Sequence, residues 1–244
     1  MPRAEGVQIL PITGLGEVAP GTDLAALIAG AVAPADPDGP QLASGDVVVV
    51  TQKIVSKAEG RIVELDHADP AAKLALVRQE SVRVLRQRGD LVISETTHGF
   101  ICANAGVDLS NVADGTAALL PEDSDRSARR IRAGLENLLG LAPLGVIVSD
   151  TFGRPWRRGV TDVAIGCAGV AAVIDLKGTV DAGGRELVAT EICVADELAS
   201  AAELVMGKDG GVPVAVVRGV PAEWLRPASV RAEVIRPPNE DLFR

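Results

Sequence analysis

The sequence predicts an α+β fold, with mixed or antiparallel sheets and flanking helices. Three observations carry that expectation. Short, continuous apolar runs such as Asp46–Thr51 (DVVVVT) and Leu144–Ser149 (LGVIVS) read as buried strands. Segments of helical period carry recognisable ends, as in Ser124–Leu139 followed by Gly140. The two kinds of segment do not alternate strictly, which disfavours a doubly wound sheet.

In chain order, Val7–Leu10 reads as a short strand broken by Pro11, and Asp23–Val32 as a helix. Pro34–Pro40 (PADPDGP) is a loop by composition. After the strand at Asp46–Thr51 comes the clearest helical stretch, Asp69–Arg88. Asp69 suits its N-cap, Pro70 its first position and Gly89 the residue beyond its end. Leu91–Glu95 and Ile101–Ala103 are short strands, then Ser124–Leu139 is a helix and Leu144–Ser149 a buried strand. In the second half Ala164–Asp175 is rich in Gly, Ala and Val, and Leu187–Val194 alternates weakly. Asp196–Met206 is helical and Val212–Val217 a strand.

At roughly 150 residues per domain, 244 residues make one large or two small domains. We expect a body over 1–220 and, from Pro221, a proline-containing tail or linker over 221–244. A net charge of −9, no Tyr, three Phe and two Trp exclude a typical nucleic-acid binder, which needs positive field and stacking platforms. The apolar runs fall well short of the roughly 20 residues of a membrane helix, and Met1–Leu10 carries no apolar secretory core. The cytoplasm is the expected location. Cys102, Cys167 and Cys193 are far apart and sit in apolar stretches, so they read as core residues. With only His67 and His98, a histidine-rich metal site is excluded. The chemistry must run on carboxylates, amides, hydroxyls, Lys and Arg.

No Walker phosphate loop, dinucleotide fingerprint or nucleophile elbow is present. Lys53 and Lys57, four apart beyond a buried strand, share a face if that turn is helical and then suit an anion. Asp150-Thr151 ends another buried strand, an arrangement that serves equally as a cap or as oxygen ligands for a hard cation. Arg154, Arg157 and Arg158 follow in a Gly- and Pro-stiffened run and suit phosphate or carboxylate. Asp108 and Asn111 lie in a loop that offers a second carboxylate and an amide, or merely an Asx turn. Gly14-Leu15-Gly16-Glu17 and Met206–Gly211 are glycine-punctuated loops.

The runs GDVVVVTQKIVSKAEGR, HGFICANAGVDLSNV, VIVSDTFGRPWRRGVTDVAIG and ADELASAAELVMGK resemble the coenzyme F-420:L-glutamate ligases, over about Val7–Val220. The resemblance implies an F-420 gamma-glutamyl ligase-like fold and an intertwined homodimer. It implies a GTP-dependent enzyme that adds L-glutamate to the deazaflavin F-420-0 precursor, with two Mn²⁺ or Mg²⁺ ions and K⁺. By position, Leu15, Gly16, Glu17 and Val18 would line the GTP site, Gln52 and Lys57 would hold its phosphates or base, and Asn111 would contact it. Asp108 and Asp150 would bind the first metal and Thr151 the second. Asp150, Arg157 and Arg158 are the catalytic candidates, with the arginines on the anionic substrate or the incoming glutamate; His98 and Glu95 are candidate bases. One departure is Lys208, where archaeal members carry Gln or Glu. A protonated lysine has no acceptor, so the second metal needs other ligands or Lys208 contacts phosphate. Actinobacterial relatives continue into a nitroreductase-like flavin domain, for which 221–244 would be the linker. A GTP- or metal-binding regulatory module and a two-metal phosphohydrolase are the alternatives.

Overall fold

The computed structural model describes residues 6–32 and 41–242; the loop expected at Pro34–Pro40 lies outside them. The elements run β1 (Gln8–Ile12), α1 (Leu24–Ala31), β2 (Val47–Thr51), α2 (Gln52–Ala58), β3 (Ile62–Glu64), α3 (Pro70–Gln79), β4 (Ser81–Arg88), β5 (Leu91–Thr96) and β6 (Ile101–Ala103). They continue β7 (Thr116–Ala118), α4 (Ser124–Leu139), β8 (Gly145–Gly153), β9 (Val160–Ala168), β10 (Ile174–Asp175), β11 (Glu191–Ile192), α5 (Val194–Met206), β12 (Val214–Arg218) and α6 (Val230–Glu233).

The valine run of β2 is fully buried and sits at the centre of a five-stranded sheet, β1-β12-β2-β8-β9. Only β2–β8 is parallel; the other three pairings are antiparallel. A central strand has no solvent face, which is why β2 reads as a continuous apolar run. Helices α4 and α5 both pack on β9, and α1 packs on α4. The approach is close: a Cβ on Gly166 of β9 would stand 2.4 Å from the Ser124 carbonyl oxygen. A second layer is the antiparallel β4-β5-β6 sheet, beside β8 through β6. The α+β class with mixed and antiparallel sheets is therefore present.

Two local readings need correction. The helix expected over Asp69–Arg88 stops at Gln79, and its second half is β4, paired with β5. Its start is as read: Asp69 Oδ1 accepts from the Ala71 N–H at 2.8 Å, with Pro70 first in the helix. Gly89 does adopt a left-handed backbone (φ 57), but in the two-residue turn of a hairpin, not beyond a helix. Pro11 does not break β1, because β1 is the sheet edge, where strands tolerate proline.

The segment from Pro221, expected as a tail, folds back onto the body as far as Ile235. Trp224 and Val230 are buried. Asp125, in the first turn of α4, accepts from the backbone N–H of Cys167, Val230 and Arg231 at 2.8, 2.9 and 3.1 Å. Glu233 accepts from Arg226 and from the N–H groups of Ala172 and Val173. No helix among the described residues is long and apolar enough to cross a membrane.

Candidate active site

Asp150 and Thr151 stand where β8 has run past β2 and pairs only with β9. The β8–β9 register slips between Val148 and Ser149, just before them, and such bulges re-aim the side chains that follow. After the slip Thr151 is the cross-strand partner of Asp162. Thr151 Oγ1 donates to Asp162 Oδ1 at 2.7 Å, and Ser149 Oγ, on the same face, donates to Oδ2 at 3.1 Å. Asp162 is 2% exposed. Lys208 sits one residue past Gly207, which ends α5. Its ammonium donates to Asp162 Oδ1 at 2.8 Å and to Thr151 Oγ1, and lies 3.6 Å from Glu203.

Alternation along β8 sends Asp150 to the opposite face from Ser149 and Thr151. Phe152 shares the Asp150 face and packs edge-on against Phe100, which precedes β6, with ring centres 5.9 Å apart. Asp150 Oδ1 accepts from the Thr151 N–H at 2.8 Å. Burial pushes its carboxyl up to about 7; that hydrogen bond opposes the rise, the charges of Asp108 and Asp162 add to it, and Lys208 offsets it in part. Cys102 lies near enough for the Asp150 charge to reinforce the effect of burial on its thiol, pushed up to about 12, which leaves it inert.

Asp108 comes from the loop after β6. It accepts from Ser110 N and Oγ at 2.7 and 2.8 Å, and Lys53 of α2 lies 2.9 Å away. Burial opposes its ionisation, but the Ser110 N–H and the Lys53 ammonium hold the carboxyl below the usual range. Lys57, one turn along α2, reaches Glu17 at 2.6 Å. The Leu15–Val18 loop, α2, the Asp108 loop and the end of β8 are thus linked by side-chain contacts and by charge.

The other expected residues are placed as follows. Leu15 is half-buried, Gly16 exposed and Val18 buried. Gln52 is 2% exposed, with its amide nitrogen donating to Leu119 O at 2.9 Å and lying 2.6 Å from Ser56 Oγ. Asn111 is exposed with a left-handed backbone (φ 53). Arg154, Arg157 and Arg158 are exposed on the β8–β9 turn, and among the described residues no ion pair engages them. Trp156 at the tip is 90% exposed and left-handed (φ 57), an uncommon backbone for a bulky residue. His98 Nε2 is 2.8 Å from Pro121 O, and because a carbonyl only accepts, that nitrogen carries the proton. Its Nδ1 is then a buried acceptor without a partner among the described residues. Glu95 pairs with Arg83 at 3.1 Å.

Sequence reasoning missed Asp162 altogether and did not carry Lys53 forward as a site residue. The signal for Asp162 was a charged residue inside an apolar, Gly- and Ala-rich run after Asp150-Thr151. Among the described residues no three His, Cys, Asp or Glu side chains stand close enough to share a metal. The donor set still suits a hard cation. Asp150 and Asp108 offer carboxylate oxygens, and Mg²⁺ commonly takes one or two carboxylates and completes its shell with phosphate and water. A cleft of about 870 Å³ opens elsewhere, between α1, α2 and α4, and neither Asp108, Asp150, Asp162 nor Lys208 lines it.

Fold and cluster together define an α+β protein with a mixed carboxylate–ammonium centre at the open end of its main sheet. The family profile described as F420-0:Gamma-glutamyl ligase matches residues 14–219. The chain belongs to that family of enzymes. It is 41% identical to the coenzyme F420:L-glutamate ligase of Methanothermobacter thermautotrophicus, covering 98% of this chain and 99% of that protein. With the enzyme of the same name from Methanopyrus kandleri it shares 42% identity, over 98% of each chain. With that of Methanocaldococcus jannaschii it shares 40%, over 82% of this chain and 85% of the relative.

Proposed function

We propose that the chain joins L-glutamate to the deazaflavin F-420-0 precursor through an amide bond, with GTP as the phosphoryl donor and an acyl phosphate as the intermediate. The observation that carries this reading is Asp150: a half-buried carboxylate with one backbone hydrogen bond among the described residues and the charges of two further carboxylates acting on it, the setting a hard cation relieves. A bound Mn²⁺ or Mg²⁺ supplies charge neutralisation at the GTP phosphates, with K⁺ as a further ion; Asp150 and Asp108 would hold the divalent ion.

A carboxylate is a poor acyl donor because its leaving group would be oxide. A precursor carboxylate oxygen attacks the γ-phosphorus and GDP leaves. The glutamate amine then attacks the acyl carbon, phosphate leaves, and the amine gives up its proton. Positioning and charge neutralisation are most of what phosphoryl transfer needs. Lys57, with the Leu15–Val18 loop to which Glu17 ties it, borders the phosphates. Arg157 and Arg158 have no competing ion pair among the described residues, which supports them as the groups that take an anionic substrate as it arrives. Exposed Val82, Val84 and Leu91 on β4 and β5 support a homodimer in which a second copy covers that sheet. The need for GTP supports a cytoplasmic setting.

The test is incubation of the protein with precursor, GTP, Mn²⁺ and L-glutamate, followed by mass spectrometry of the deazaflavin and measurement of GDP. The expected result is a product heavier by one or more glutamyl residues, with GDP release that requires both acceptors. GDP released without glutamate would instead make the protein a phosphohydrolase, and GTP bound but never consumed would make it a regulatory module.

A further inference from the structure

We propose that Lys208 is a resident cation that closes the Thr151–Asp162 side of the centre, so that the chain holds one divalent ion, on the Asp150–Asp108 side, rather than two. This rests on the reading above that the centre takes a divalent ion with GTP.

Two features of the structure carry it. The first is the division of the centre by strand β8. Ser149 and Thr151 point to one face, where Asp162 lies, and Asp150 points to the other. Asp150 and Asp162 are thus offered on opposite faces of the strand, consistent with the lack, among the described residues, of any group of three His, Cys, Asp or Glu that could hold one ion. The second is how the carboxylates are partnered. Asp108 has Lys53 at 2.9 Å, and Asp162 has Lys208 at 2.8 Å, but among the described residues no ammonium donates to Asp150. Among the described residues the Asp150 side therefore keeps a carboxylate without an ion pair, eased only in part by the Lys208 charge.

On the other side Lys208 engages Asp162 Oδ1 and Thr151 Oγ1 and lies 3.6 Å from Glu203, while Asp162 Oδ2 accepts from Ser149. An ammonium cannot act as a ligand, and a divalent ion placed there would meet it at contact distance. Asp162 is nearly fully buried and is fixed by Ser149 and Thr151, so it anchors Lys208 and does not swing toward an incoming ion.

The experiment counts bound Mn²⁺ per chain, from the electron paramagnetic resonance signal of free Mn²⁺, with the intact protein and a non-hydrolysable GTP analogue. The native protein and Lys208→Gln are compared. Lys208 is half-exposed, so the variant keeps its fold, and a thermal melt verifies this. The expected counts are one ion for the native protein and two for Lys208→Gln, in which a carbonyl oxygen replaces the ammonium. Two ions in the native protein, or one in both proteins, would overturn the proposal. No tight Mn²⁺ in either would overturn the metal reading of the function itself, and the proposal with it.

Discussion

The molecule withdraws carboxylates from solvent, wholly or in part, in two regions, and it treats them in opposite ways. Under the C-terminal segment, Asp125 accepts three backbone N–H groups, and Glu233 has a guanidinium as well as two backbone donors. Burial raises the carboxyl of Glu233, but Arg226 and the backbone donors outweigh it and hold the group below the usual glutamate range. At the end of β8, Asp150 has a single backbone donor among the described residues and feels the charges of Asp108 and Asp162, and its carboxyl rises to about 7. The first region spends its carboxylates on tying segments together. The second keeps one underpartnered, which costs stability and leaves oxygens for a ligand.

The comparison breaks first, if it breaks, at Asp150→Asn. We expect GDP release to fall by a factor on the order of 10³ while the protein stays folded. The same variant without metal should melt higher than native at pH 8. The sign follows from the raised carboxyl: stability is complete below the ordinary 3.8 and is lost as pH rises toward about 7, where the native carboxylate becomes charged. At pH 4 the two melting temperatures should therefore converge.

Asp125→Ala is the counterpart in the other region. It strands the Cys167 and Val230 N–H groups in the interior, for about 3 kcal/mol. That corresponds to a drop of about 6–12 °C in Tm for a chain of this size. If Asp125 were as dispensable to the fold as Asp150, Tm would not move. Glu233→Gln gives the smallest effect, about 1 kcal/mol at neutral pH. Its carboxyl is lowered, so its contribution is present above about 4.5 and is lost as pH falls through the folded value. Denaturant titrations of both proteins should differ at pH 7 and meet at the acid end.

Much of this was legible from local signals. β2 and the start of β8 are apolar runs, and Asp69 and Gly140 mark helix ends by rules that act within one turn. What was not legible depends on distant partners. Ser81–Arg88 is tolerable as a helix continuing α3, and only pairing with β5 makes it a strand. Asp162 looks like a stray charge until the β8–β9 register, slipped at Val148, sets it against Thr151. Lys57 and Asp108 carried a chemical signal in their own local segments. That Lys57 meets Glu17, and that Lys53 rather than Lys57 meets Asp108, is set by where α2 lies in space.

The central claim is that this centre converts a carboxylate into an acyl phosphate before amidation. The most direct test supplies precursor labelled with ¹⁸O in its carboxylate and analyses the inorganic phosphate released as glutamate is added. The account predicts one ¹⁸O transferred to phosphate for each amide formed at that carboxylate. Phosphate free of label, with amide formed, would contradict it.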